Sequence, residues 1–291
     1  MGSAPNTPPL IAIVGQTASG KTALAIQLAK KFNGEVIAAD SRTIYKELSI
    51  GTAKPTMAEQ DGIRHHLLDV ITPDKAFSAA DFKRQAVAAI TEISQAGKLP
   101  IMVGGTGLYI DAILYDFTFG ALPDQDRRKA LQELNVEELQ AMIKAKRLVL
   151  PENSKNPRHL IRVIETGGVV SQPKKLRANT LVIGLSVGQE RLKSKLAQRV
   201  NAMVSAGLID EIKIVSEKYG WDAPGLQATG YRAFRQYIGG EILMAEAKEK
   251  FVQNDMQLAK RQRTWFKRNK SIHWVGKQDE AVDLVTTFLN K

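Results

Sequence analysis

The chain has no cysteine among its 291 residues. Structural disulfides, thiolate metal sites, iron–sulfur clusters and cysteine nucleophiles are thereby excluded. With four histidines there is little scope for a zinc site. No apolar run approaches the roughly 18 residues that a membrane span needs, and neither an internal repeat nor a low-complexity tract occurs. The first ten residues, MGSAPNTPPL, lack the basic flank and apolar core of a signal peptide, and Asn6 breaks the myristoylation pattern. A cytoplasmic chain without membrane contact is expected.

What is present is an ordinary globular composition, 44% hydrophobic and 24% charged, on a length of about two domains. The charge is uneven. Lys and Arg number 41 against 30 Asp and Glu, a net +11. Residues 144–177 carry nine basic and two acidic side chains, and residues 248–270 carry eight and two, so the rest of the chain is nearly neutral. Two basic islands on a neutral body fit a polyanion held at defined places, with a solvated basic face as the plain alternative.

Periodicity predicts a buried strand at 10–14 ending in Gly15, a helix over 22–32, and further strands at 35–39, 100–103 and 180–185. Ser78 and Asp81 read as a capping box for a helix that runs to about residue 96 and stops at Gly97. Strands alternating with helices imply an α/β fold with a parallel sheet. From 122 to 178 the strand signals stop, and Pro123, Pro151, Pro157 and Pro173 punctuate a polar, helical stretch. The expected organisation is a P-loop core over 1–121, a helical insertion lobe over 122–178, and a last core strand with carboxyl-terminal helices over 179–291.

Gly15-Gln16-Thr17-Ala18-Ser19-Gly20-Lys21-Thr22 matches G-x-x-x-x-G-K-[ST] and sits between a predicted strand and a predicted helix. Glycines let the backbone wrap a phosphate, successive N–H groups and the helix dipole supply positive potential, and Thr22 offers a hydroxyl to Mg²⁺. Lys21 is expected to be the one mobile cation in this cradle. A polyphosphate or diphosphate ligand follows, though ATP does not. The strand at 100–103 ends in Gly104-Gly105-Thr106 with no Walker-B carboxylate, and Asn269-Lys270-Ser271-Ile272 is not a guanine signature. Asp40, at the end of the strand at 35–39, is placed to bind metal, to take a proton from a nucleophile, or simply to cap the following turn through Ser41. A P-loop kinase and an RNA-binding P-loop protein that uses nucleotide only as a switch are the competing classes.

Further blocks narrow this. Asp40-Ser41-Arg42-Thr43-Ile44-Tyr45, Ile50-Gly51-Thr52-Ala53-Lys54-Pro55, His65-His66-Leu67-Leu68-Asp69, Phe77-Ser78-Ala79-Ala80-Asp81-Phe82, Val103-Gly104-Gly105-Thr106-Gly107-Leu108-Tyr109, Gly230-Tyr231-Arg232 and the run from Gln257 through Arg268 occur in this order. The series resembles the signature of the tRNA dimethylallyltransferase, or tRNA isopentenyltransferase, family. The resemblance implies transfer of a dimethylallyl group from dimethylallyl diphosphate to N6 of the adenosine adjacent to the anticodon on its 3′ side, with Mg²⁺ as cofactor and the tRNA anticodon stem-loop as partner.

It assigns Asp40 as the base at N6 and Thr106 to the target nucleotide. Gly15, Thr17, Ala18, Ser19, Gly20, Lys21, Thr22 and Arg232 go to the diphosphate, and Ser41, Arg42 and Thr43 to the target region of the tRNA. The two islands become RNA grips, through Arg158, His159, Leu160, Ile161 and Arg162 in the first, and Arg261, Arg263, Lys267 and Arg268 in the second. At helical spacing 261, 264, 265 and 268 would share a face. Thr43 stands where many members carry glutamine, and the insertion is shorter than is usual. Adjacent His65 and His66 point opposite ways on a strand, so structural or hydrogen-bonding roles are expected for them. A monomer is expected.

Overall fold

Leu10–Gly15 (β1) is a run of six apolar or small residues, and all six are buried. Such a run fits the middle of a parallel sheet covered on both faces. In the structure, a computed structural model that describes residues 7–119, 124–168 and 175–290, β1 indeed has a strand on either side. The sheet is parallel throughout and also contains Gly34–Ala38 (β2), His65–His66 (β3), Leu99–Gly104 (β4), Thr180–Leu185 (β5) and Ile272–Val275 (β6), in the order β3-β2-β4-β1-β5-β6. Four of these six were predicted. The two missed are short edge strands that present too few residues for any alternation to register.

The register sets Ile13 beside Val103 on one side and Ile183 on the other. Ile11 and Ile13 point to a layer formed by Leu24 and Leu28 of Lys21–Lys31 (α1) and Val285 of Gln278–Leu289 (α12). The short helix Met57–Gln60 (α2) precedes β3. Ala79–Gln95 (α3) opens with the Ser78–Asp81 capping box and closes at Gly97, whose positive φ ends the helix. Gly107–Leu114 (α4) follows β4.

Beyond β5, Gln189–Ser205 (α8), Leu208–Tyr219 (α9), Thr229–Ile238 (α10) and Met244–Phe266 (α11) build a second apolar cluster around Tyr231, Phe234 and Phe251. Among the described residues no helix is long and apolar enough to cross a membrane.

The chain divides into two compact units, Met1–Leu114 with Leu176–Lys291, and Tyr115–Lys175. The second contains Gln125–Gln132 (α5), Val136–Ala145 (α6) and Pro157–Thr166 (α7) around Leu131, Leu139, Ile143, Leu160 and Ile164. Pro157 is the first helical residue of α7, where its missing N–H costs nothing. Pro123, Pro173 and the amino-terminal residues 1–6 lie outside the described residues. Where the first unit gives way to the insertion and resumes, the Arg177 N–H donates to the Leu114 carbonyl at 2.7 Å.

Candidate active site

Because all six strands are parallel, the segments that follow β1, β2 and β4 emerge at one edge, at the point where the order changes direction around β1. Open α/β sheets bind ligands there. The P-loop turns out of β1 at Gly15, whose φ is +147°; a Cβ there would lie 2.2 Å from the Leu185 carbonyl oxygen. Gly20, at φ +91°, caps α1. The loop is anchored from outside. Gln16 donates to the Val187 carbonyl at 2.8 Å. The Gln262 amide of α11 accepts from Thr17 N at 2.8 Å and donates to the Gly105 carbonyl at 3.1 Å, tying the P-loop to the segment after β4.

Thr17, Ala18, Ser19, Gly20, Lys21 and Thr22 line a cleft of about 290 Å³ together with Asp40, Arg42 and Thr43. Lys21 Nζ donates to the Gln16 carbonyl at 2.7 Å. Desolvation pulls its ammonium down to about 8, while Asp40 raises it and Arg199 lowers it further. Asp40 Oδ1 accepts from the Arg42 N–H at 2.8 Å, so the turn cap runs through Arg42 and not through Ser41. That bond fixes the carboxylate. Ser41 is engaged elsewhere, its N–H donating to Thr106 Oγ1 at 3.0 Å. Thr43 is buried, and its hydroxyl has no hydrogen-bond partner among the described residues.

The two histidines diverge. His66 Nε2 lies 2.6 Å from the buried Glu35 carboxylate, to which Lys98 also donates at 2.7 Å. His65 faces the cleft with Nδ1 2.9 Å from the Ile63 carbonyl; burial lowers its pKa, and Nε2 has no described partner. Among the described residues no group of three or more His, Cys, Asp or Glu could hold a metal ion.

Lys21 is not the lone cation of the cradle. Arg199 of α8 lines the same cleft, its Nη1 donating to Thr17 Oγ1 at 3.1 Å and its Nη2 to the buried Asp255 carboxylate of α11. Thr229 Oγ1 donates to the other Asp255 oxygen at 2.7 Å. The sequence did hold a signal for both residues: Arg199 sits three residues from Leu196 and four from Met203, and Asp255 four from Phe251 and Ala259, so each charge interrupts an apolar helical stripe. Arg232, expected at the diphosphate, is exposed on α10 and is not among the residues that line the cleft.

Of the expected RNA contacts, Arg158 and His159 are exposed on α7 and Arg162 is half-buried. Leu160 and Ile161 belong to the apolar centre of the 115–175 unit, which removes their side chains from any RNA-facing surface. Arg261, Arg263, Lys267 and Arg268 are exposed, but α11 ends at Phe266, so Arg268 lies in the turn beyond it and the expected shared face stops short. Phe266 is core. Trp265 lies against Gly107, where a Cβ would be 2.4 Å from the indole, and its Nε1 donates to Asp111 at 2.8 Å.

Known proteins share this fold and much of this sequence. The model of the IPP transferase family matches residues 43–269. The tRNA dimethylallyltransferase of Anoxybacillus flavithermus is 39% identical over 285 residues, covering 94% of this chain and 92% of that protein. That of Staphylococcus aureus is 38% identical, covering 96% of each. Among solved structures, a tRNA delta(2)-isopentenylpyrophosphate transferase from Staphylococcus epidermidis superposes with a TM-score of 0.74 at 36% identity, over 97% of this chain and 99% of that one. A eukaryotic dimethylallyltransferase acting on tRNA gives 0.76 at 26% identity, over 89% of this chain and 70% of that one. With a P-loop facing an aspartate across one cleft, and likeness running nearly end to end, the chain belongs to the tRNA dimethylallyltransferase (IPP transferase) family.

Proposed function

We propose that the chain transfers the dimethylallyl group of dimethylallyl diphosphate to N6 of the adenosine adjacent to the anticodon on its 3′ side in tRNA, releasing diphosphate. The observation that carries this reading is that the P-loop and Asp40 line one cleft while β4 ends in Gly104 and runs into Gly105 with no carboxylate. A phosphate cradle therefore faces one available base, Asp40, since the other carboxylate lining the cleft, Asp255, is buried and bonded to Arg199 and Thr229. N6 attacks the allylic C1, the C1–O bond breaks with its electron pair leaving on the diphosphate, and the N6 proton passes to Asp40. An allylic diphosphate ionises readily once its leaving group is neutralised, so positioning and charge stabilisation by the P-loop amides and Lys21 account for most of the catalysis.

Mg²⁺ fits as a cation shared with the ligand. The protein side offers the Thr22 hydroxyl at the start of α1 and, among the described residues, no carboxylate cluster, so the ligand's phosphate oxygens would supply the other donors and the ion would neutralise leaving-group charge. Thr106, held against Ser41, together with Arg42 and Thr43, is assigned to the unstacked adenine, a role supported by the Ser41 N–H bond that ties Thr106 to the segment after Asp40. Exposed Arg158 and His159 and half-buried Arg162 in one unit, and exposed Arg261, Arg263, Lys267 and Arg268 in the other, are the side chains offered to the anticodon stem-loop. Arg232 is not given a place at the diphosphate, because it is exposed on α10 and outside the lining of the cleft.

The test is direct: incubate the chain with dimethylallyl diphosphate, Mg²⁺ and an anticodon stem-loop, and look for prenylated adenosine by mass. Asp40→Asn should lose about 10²- to 10⁴-fold in turnover and keep tRNA affinity within a few-fold. ATP-dependent phosphoryl transfer with no response to the prenyl donor would overturn the reading in favour of a kinase.

A further inference from the structure

We propose that Glu211 is a positioning residue of the transfer reaction, whose carboxylate holds residues 49–53 in place as the wall of the cleft that meets the dimethylallyl group of the donor. This rests on the reading of the cleft as a prenyl-diphosphate site and deepens it. Two of the motif blocks, Ile50 to Pro55 and Gly230 to Arg232, have no part in the chemistry described above, yet they meet at this one side chain. Glu211 itself lies on α9, outside every block.

The carboxylate is fully used. Its Oε2 accepts from the Ser49 and Ile50 N–H groups at 2.7 and 2.8 Å, and its Oε1 accepts from the Gly51 N–H at 2.9 Å and the Tyr231 hydroxyl at 2.8 Å. A carboxylate has about four lone-pair sites, and here each has a donor. Successive N–H groups converging on one anion form a backbone nest. Tyr231 is completely buried, and burial together with Glu211 pushes its phenol up, so it stays a donor. A Cβ on Gly51 would come within 2.5 Å of the Tyr231 ring, so only glycine lets the segment approach α10 this closely.

The same segment is pinned from its other end. Lys54 is 8% exposed, and its Nζ donates to the Tyr45 carbonyl at 2.6 Å and to Asp69 at 2.5 Å. Between the two anchors Ala53 has a φ of +53°, a left-handed conformation that costs energy for a residue with a Cβ and persists only where its surroundings impose it. Gly51, Thr52, Ala53 and Pro55 line the cleft. What they present there is uncharged, because Lys54 is held by its bonds to Tyr45 and Asp69 and the Thr52 hydroxyl donates to the Leu48 carbonyl at 2.7 Å. A diphosphate needs cations and N–H donors, which the P-loop supplies. This small, apolar wall suits the dimethylallyl group instead.

The experiment compares two ligands by calorimetric titration of the intact chain in Mg²⁺: dimethylallyl diphosphate, and inorganic pyrophosphate, which lacks the organic group. Glu211→Gln keeps the shape of the side chain, but it leaves one acceptor oxygen in place of two and sets its own NH₂ against the remaining donors. Each buried carbon of a ligand contributes about 4-fold to affinity, so a wall withdrawn from about two carbons of the group predicts dimethylallyl diphosphate binding weaker by about 15-fold, with pyrophosphate binding within about 2-fold of wild type. Tyr231→Phe removes one donor and leaves the carboxylate bonded to the backbone; it should shift the ratio of the two affinities the same way by about 2- to 4-fold, and it carries the test alone if Glu211→Gln does not fold. Glu47→Gln is the control. Exposed Glu47 also ties this stretch to α9, through Lys218 and Tyr219, but it does not line the cleft, and its variant should keep the wild-type ratio.

An unchanged ratio in Glu211→Gln, or in Tyr231→Phe where that variant stands alone, shows a brace of the fold and overturns the proposal, whether or not the Tm falls. Equal weakening of both ligands does the same, as does an equal shift of the ratio in Glu47→Gln. If pyrophosphate binding is lost in Lys21→Ala while the ratio stays fixed in the Glu211 variant, the role of Glu211 is refuted and the diphosphate site stands. Failure of the wild-type chain to bind pyrophosphate, or indifference of that binding to Lys21→Ala, overturns the site itself and this inference with it.

Discussion

Raising the pH from about 7 to about 9.5 should weaken dimethylallyl diphosphate binding by about 30-fold, because the cation that meets the diphosphate loses its proton in the free enzyme. The structure sets the midpoint. Desolvation of the Lys21 ammonium outweighs the attraction of Asp40 and, with repulsion from Arg199, brings it from 10.5 down to about 8. Binding requires the protonated lysine, so affinity follows the protonated fraction, which is about 0.9 one unit below the midpoint and about 0.03 one and a half units above it. A lysine at its ordinary value would lose only about a tenth of its charge over the same range.

Other groups leave the window clear. Burial lowers the His65 pKa, which moves its titration away from this range. The last ionisation of a phosphate ester, near about 6, is already about nine-tenths complete at about pH 7. The assay is calorimetric titration with dimethylallyl diphosphate in the absence of tRNA, repeated in buffers of different ionisation enthalpy. At about pH 9 most binding events should take up one proton. Lys21→Met should bind weakly at every pH and show no such uptake. A flat affinity profile in the wild-type chain, or proton uptake that survives Lys21→Met, would refute the reasoning.

Salt dependence separates RNA contact from packing in the insertion. Each RNA phosphate left without its cation lowers the magnitude of the log–log salt slope by about 0.7 to 0.9, so Arg158→Ala with Arg162→Ala should flatten the tRNA binding slope by about 1.4 to 1.8. Arg162 also lies 3.9 Å from the buried Glu165 carboxylate, which Arg128 approaches at 3.6 Å; if that pairing were its whole role, the double variant would lose Tm and keep its slope. Asp111 supplies a stability test. Burial raises its carboxyl to about 6 against the opposing Trp265 hydrogen bond. Its folded pKa therefore exceeds its unfolded one, and its contribution is complete below about pH 4 and lost as the pH rises through about 6. Asp111→Asn keeps an acceptor for the indole and cannot ionise, so its Tm should exceed that of the wild-type chain at about pH 7.5 and match it at about pH 4; an equal difference at both would remove titration as the cause.

Local interactions were legible from the sequence because they act over a few residues. The buried run of β1, the glycines of the P-loop, the Ser78–Asp81 capping box and the stop at Gly97 each rest on near neighbours, and each lies where its spacing puts it. The motif blocks likewise located Asp40 and Thr106 before any fold was in view. What the sequence could not weigh was competition between distant elements. β3 and β6 exist because β2 and β5 offer open edges to them, not because four or fewer residues prefer to be extended. Leu160 and Ile161 turn inward because α5 and α6 give α7 an apolar face to cover, leaving only the flanking charges outside. Arg199, Gln262, Asp255 and Thr229 reach the P-loop or the cleft from positions 180 or more residues beyond it in the chain. Their convergence depends on α11 packing beside β1 and on α8 and α10 packing against α11, which no spacing within the motif encodes. The cradle was written in a single loop, but its second cation was decided by tertiary packing.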